Sequence, residues 1–117
     1  MTTATQKLTP LTLAGNTADA ASKLMTEQAN LAEAKQQALN AEHKLKDAEV
    51  MLTLEGLEGK NAEQRAAYLA DKTANYRNEV TKYKMALTRA EGAHAIARTH
   101  WRMCCELNAL AALISDY

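Results

Sequence analysis

Four side chains near the C-terminal end have the types and spacing to do chemistry: His94, His100, Cys104 and Cys105. His100 and Cys104 stand four apart, so a helix sets them on one face. An imidazole and a thiolate at that spacing could fill two positions of a tetrahedral zinc site. The other ligands would have to come from another chain, because no paired ligand motif accompanies them. His94 falls on an apolar stripe, where a hydrogen-bonded core histidine is the commoner outcome. Adjacent cysteines are badly placed to bond each other, so reduced thiols are expected. No base and oxyanion arrangement supports a nucleophilic cysteine. The expectation is no metal, no cofactor and no catalytic residue.

A second set is basic. Arg77, Lys84, Arg98 and Arg102 lie on one flank of that stripe, and Lys82 and Arg89 on the other, with Tyr76, Tyr83 and Trp101 between them. Basic side chains interleaved with aromatics suit single-stranded nucleic acid, because phosphates pair with the cations and bases stack on the rings. A structural reading competes. The aromatics lie on the packing stripe, and the cations occupy seam edges from which they can pair with Glu42, Asp47 and Glu49. Net charge is zero over 117 residues, so the whole-chain balance does not choose. Locally it leans: residues 1–71 carry seven Lys/Arg and ten Asp/Glu, whereas residues 72–103 carry seven and two. The Gly59-Lys60 pair lacks the Gly-rich loop and following Ser/Thr of a phosphate loop. Capping and solvation account for Lys60–Arg65, and Arg65 can reach back toward Glu55 or Glu58.

The elements that must position these groups are helices. The chain is rich in Ala, Leu, Gln, Glu and Lys, with one Pro and no Phe, a composition that favours helix. It is organised around Glu55–Arg65. Gly56 and Gly59 offer left-handed turns, Asn61 offers an N-cap, and Gln64 completes a capping-box pattern. Before this hinge, Leu24, Leu31, Ala38, Leu45 and Leu52 repeat every seven residues. Ala34, Ala41 and Ala48 repeat on the adjoining seam, with Glu27 and Glu55 at its ends. That predicts a coiled-coil-like helix from about 17 to 55, capped by Asn16 or Thr17 and roughly 58 Å long. After the hinge, a helix from Ala62 carries the stripe Leu69, Thr73, Tyr76, Val80, Tyr83, Leu87, Ala90, His94, Ala97, Trp101 and Cys104. Beyond Trp101, Ile96, Met103, Leu107, Leu110 and Ile114 take over. A break near Gly92, with a third helix from about 93 to 114, is the alternative to one continuous helix.

The expected fold is therefore all-α: a long antiparallel helical hairpin, coiled-coil-like, in an oligomeric bundle. Residues 1–15 read as an N-terminal arm with an apolar side (Leu8, Leu11 and Leu13), and residues 16–117 as the hairpin. Folding symmetrically about the hinge sets residue i near 117 − i, so residues 101–115 overhang the first helix. Two helices bury too little to stand alone. The N-terminal arm or another subunit must cover the overhang, and a homo-oligomer joined through Trp101, Met103, Leu107, Leu110 and Ile114 is expected. No apolar run reaches membrane-spanning length and the first residues lack a secretory h-region, so a cytoplasmic protein is expected.

The segment Gly56–Leu69, G-L-E-G-K-N-A-E-Q-R-A-A-Y-L, resembles one found in small helical proteins of phages and prophages. The organisation is similar to that of the phage recombination-mediator family, in which a helix rich in Tyr, Lys and Arg leads into an apolar oligomerisation segment. Tyr76-Arg77, Lys82-Tyr83-Lys84 and Arg98–Trp101, followed by Leu107–Ile114, sit comparably. The resemblance covers about two-thirds of the chain in pattern. It implies a non-enzymatic homo-oligomer acting with single-stranded DNA and a recombination or replication protein, in the host cytoplasm if phage-encoded. Competing expectations are a protein-binding module, such as an inhibitor or adaptor of a host protein, and a structural assembly component.

Overall fold

The first helix starts at a threonine-proline pair. The Thr9 hydroxyl accepts from the Thr12 N–H (3.1 Å) and the Thr9 carbonyl from the Leu13 N–H (2.9 Å). Pro10 takes the first helical position, where its missing N–H has no helical partner to lose. In the computed structural model, which describes residues 9–115, three helices follow: α1 Pro10–Glu55, α2 Ala62–Lys72 and α3 Ala74–Ser115. There is no strand among the described residues, and the chain is the all-α helical hairpin that its heptads predict. No helix among them is long and apolar enough to cross a membrane.

The start of α1 corrects the expected cap at Asn16 or Thr17, both of which lie inside the helix. The reason is visible in the seam. Leu13, Ala20, Glu27, Ala34 and Ala41 are all buried, seven residues apart. The repeat thus runs two heptads further back than Glu27, the end that the sequence pattern gives it. Of the expected arm, residues 1–8, including Leu8, lie outside the described residues, and residues 10–15 are helical. Leu13 is packed, whereas Leu11 is 84 % exposed.

The chain divides into two compact units. One comprises Met1–Asn30 and Glu91–Tyr117. Within it Leu13, Ala20 and Glu27 of α1 and Ala97 and Cys104 of α3 are buried. Glu27 is held by Lys23 one turn earlier, at 3.4 Å. Thr17 joins the two helices: its hydroxyl donates to the carbonyls of Leu13 (2.9 Å) and Cys104 (3.4 Å) and accepts from the Asn108 amide.

The other unit is Leu31–Ala90. Ala34, Ala38 and Ala41 are buried there, while Leu31, Leu45 and Leu52 are half-buried. Small residues at the seam let backbones approach, and the larger leucines shield its margin. Its hinge follows the expected chemistry. Gly56 and Gly59 have φ of 101° and 139°, a region that costs residues with a Cβ. Asn61 Oδ1 accepts from the Gln64 N–H, and Gln64 Oε1 reaches back to the Lys60 N–H, both at 2.8 Å.

The break in the return limb is at Thr73, not Gly92, and the third helix begins at Ala74 instead of about residue 93. Thr73 is only 1 % exposed. Its hydroxyl donates to the Leu69 carbonyl at 2.7 Å, and the Ala70 carbonyl accepts from the Arg77 guanidinium. The Leu69 carbonyl therefore accepts from both the hydroxyl and the N–H of Thr73, the latter at 3.0 Å, while the Ala70 carbonyl is served by a side chain. Gly92 lies within continuous α3, and no atom of the surroundings would touch a Cβ there.

The pairing register is also shifted. Symmetric folding sets Glu42 beside Asn75 and Thr17 beside His100; instead Glu42 meets Lys84, and Thr17 meets Cys104 and Asn108. α2 has no buried residue, so it lengthens the crossing and delays the packed return. With α1 also starting early, residues 101–108 do not overhang. Trp101 and Asn108 are half-buried and Cys104 buried.

Two substitutions test this description by thermal unfolding at matched protein concentration. Gly59→Ala places a Cβ 2.8 Å from the Arg65 backbone nitrogen at positive φ and should cost about 1–3 kcal/mol. Gly92→Ala should stabilise by about 0.5–1 kcal/mol. A further test is the seam: Ala41→Leu should cost about 1–3 kcal/mol through overpacking.

Candidate functional site

Alternating steps of three and four residues along α3 keep to one side of the helix, and α3 has two such apolar sides. In the unit that contains residues 91–115, the inner side carries Ala97 and Cys104, buried, with His94, Trp101, Asn108 and Ala111 half-buried. The outer side carries Ile96, Met103, Leu107, Leu110 and Ile114, all exposed, with Leu113 exposed at its margin. The two lie roughly 110° apart around the helix, given 3.6 residues per turn. The outer stripe therefore does not take over from the inner one after Trp101, as its sequence position suggests; the two run side by side. Among the residues expected to join copies, Trp101 belongs to the inner side and Met103, Leu107, Leu110 and Ile114 to the outer. Ala95, Ile96, Thr99, His100 and Met103 line an open groove of about 370 Å³ on that face.

His100 and Cys104 do come together, with His100 Nε2 3.7 Å from Cys104 Sγ. Both cysteines are free thiols, Cys104 buried and Cys105 partly so. Among the described residues no three His, Cys, Asp or Glu side chains gather closely enough to hold a metal ion. His94 sits on the inner stripe as expected, but its buried Nε2 has no hydrogen-bond partner, so the expectation of a satisfied core histidine is not met at that atom.

The six basic side chains are all exposed, and the structure sorts them. In the unit of residues 31–90, Arg77 bonds the Ala70 carbonyl. Lys84 pairs with Glu42 at 3.1 Å, one of the three acids that the seam-edge reading names. Lys82 lies over the Tyr83 ring, 5.4 Å from its centroid. Arg89 makes no ion pair among the described residues. In the other unit, Arg98 and Arg102 are also without an acidic partner among the described residues. Of the aromatics, Tyr83 and Trp101 are half-buried on the packing stripe and Tyr76 is 40 % exposed. An open groove of about 750 Å³ near the hinge is lined by Lys44, Asp47, Met51, Glu55, Lys72 and Tyr76, among others. Its charges are mixed in sign and carry no acid–base or nucleophilic arrangement.

Sequence reasoning missed two polar seam residues, Thr17 and Asn108. The signal was available: Thr17 is one heptad before Leu24, on the same seam. Leu113 was also missed, because it stands one place off the heptad positions.

No family model, no curated protein and no solved structure matches the chain.

Removing the Thr17 hydroxyl should be costly while removing the Lys84 charge should not. Thr17→Val leaves the Asn108 amide without its acceptor and should lose about 1–2 kcal/mol. Lys84→Gln breaks a solvent-exposed pair and should change stability by less than about 1 kcal/mol. Denaturant titration of the two variants beside the native chain measures both.

Proposed function

We propose that this chain is a non-enzymatic, homo-oligomeric helical protein that acts as an accessory to single-stranded DNA transactions, in recombination or replication. The observation that carries the reading is the pairing, within one unit, of an exposed apolar face on α3 with Arg98 and Arg102, which have no acidic partner among the described residues. Phosphate contact needs cations that the fold has not already used. Arg98 and Arg89 meet that requirement best, and Arg102 meets it in the single chain; Lys82 meets it beside an aromatic ring. Arg77 and Lys84 have roles inside the fold and contribute less.

A neutral chain with so few free cations would hold a polyanion weakly as a monomer. Association through the apolar face multiplies the contacts, and linked weak sites bind far more tightly than one. The resemblance to phage recombination mediators points the same way, and with it a phage or prophage origin and action in the host cytoplasm. A second reading is an inhibitor or adaptor of a host protein. The groove at Ala95, Ile96, Thr99, His100 and Met103 favours it, because such a surface also accepts the apolar face of a foreign helix.

Fluorescence anisotropy with a labelled single strand tests the leading reading. Four phosphate contacts imply a roughly 50-fold loss of affinity from 50 to 200 mM salt. Arg89→Gln with Arg98→Gln should weaken binding and flatten that dependence. Absence of binding at 50 mM salt, together with co-purification of a stoichiometric protein partner, would move the assignment to the second reading.

A further inference from the structure

The outer face of α3 has the spacing of a coiled-coil seam. Ile96, Met103 and Leu110 recur every seven residues, and His100, Leu107 and Ile114 recur four residues behind them. The intervals alternate four and three, the knobs-into-holes pattern in which each side chain needs a hole on a facing helix. The chain's own α1 does not fill these holes. It meets α3 on the other seam, through Thr17, Cys104 and Asn108, while Ile96, Met103, Leu107, Leu110 and Ile114 stay 42–74 % exposed. A helix with two seams about 110° apart has a second helical neighbour to accommodate.

We infer that the occupant of this seam is the same seam of a second copy, running antiparallel, so that Ile96 faces the partner's Ile114 and Met103 the partner's Leu107. The inference deepens the self-association included in the proposed function and does not depend on DNA.

Two observations select this occupant. The first is charge. Arg102 and Glu106 lie on the same flank of the seam and neither has an ion pair among the described residues. Antiparallel pairing centred on Cys105 brings Arg102 within about a helical turn of the partner's Glu106, and does so twice by the twofold axis. Parallel pairing would set Arg102 and the partner's Glu106 on opposite sides of the interface and would oppose His100 to the partner's His100. The second is extent. Five large apolar side chains stay exposed along about five turns of α3, a continuous self-complementary strip of the kind a twofold interface uses. His100 is the one polar residue of the seam; it faces the partner's Leu110 and limits the affinity.

Sedimentation equilibrium of the full chain, without DNA, tests the inference. The native chain should sediment at twice 12.8 kDa or at an even multiple of it. Leu107→Glu should sediment as a single chain with unchanged helical circular dichroism, because Leu107 is exposed in the monomer. Leu54→Glu, at an exposed position in the other unit, should leave the mass unchanged. His100→Leu should tighten association about tenfold, since a seam imidazole gives way to a side chain that fills the hole. Arg102→Glu and Glu106→Arg should each weaken it about three- to tenfold, and an equimolar mixture of the two should recover it. A single chain throughout the micromolar range, association that survives Leu107→Glu, or a mixture that does not recover would each overturn the inference. Dimerisation without DNA binding would leave it standing and count against the DNA role alone.

Discussion

Close approach of helix backbones is the constraint on which the rest of the structure depends. The buried positions are mostly alanines, Ala20, Ala34, Ala38, Ala41 and Ala97, with Leu13 and Cys104 among the few larger ones. An alanine seam lets two helices lie unusually near each other, so many atoms come into van der Waals contact. The same seam buries little apolar area per residue, and burial is what drives folding at roughly 25 cal/mol per Å². Such a hairpin has limited reserve. Its large apolar side chains, Ile96, Met103 and Leu110 among them, stand outside the seam where they contribute nothing to the single chain.

Polar groups then supply specificity that the alanines cannot. A repeated small-residue seam permits slippage by a heptad with little change in packing. Thr17 resists this, since its hydroxyl engages the Cys104 carbonyl and the Asn108 amide at one register only. Thr73 acts locally: buried and bonded to Leu69 four residues earlier, it caps the end of α2. The Asn61 cap and the two positive-φ glycines fix the turn between α1 and α2.

The basic residues illustrate how one sequence pattern divides into two uses. Lys84 and Arg77 are absorbed by Glu42 and by the Ala70 carbonyl, consistent with seam-edge pairing. Arg89, Arg98 and Arg102 are not absorbed. Spacing alone treats all six alike, because flank position says only that a cation can reach a seam edge. Whether an acid stands opposite depends on register, and the register shift relative to symmetric folding decides it.

Amino-acid order by itself determined the helical class, the hinge chemistry at Gly56, Gly59, Asn61 and Gln64, and the inner stripe from Leu69 to Cys104. These follow from backbone propensities and from a period of 3.5 to 3.6, which are local properties. Four things were settled only in three dimensions: the start at Thr9–Pro10, the break at Thr73, the partners of Thr17, and the side-by-side placement of the two α3 stripes. The partners of Thr17 depend on which residue of one helix lies opposite which residue of the other, and so does which α3 stripe is covered. An alanine-rich heptad satisfies several such alignments nearly equally, so the choice among them rests on long-range contacts that no local window contains.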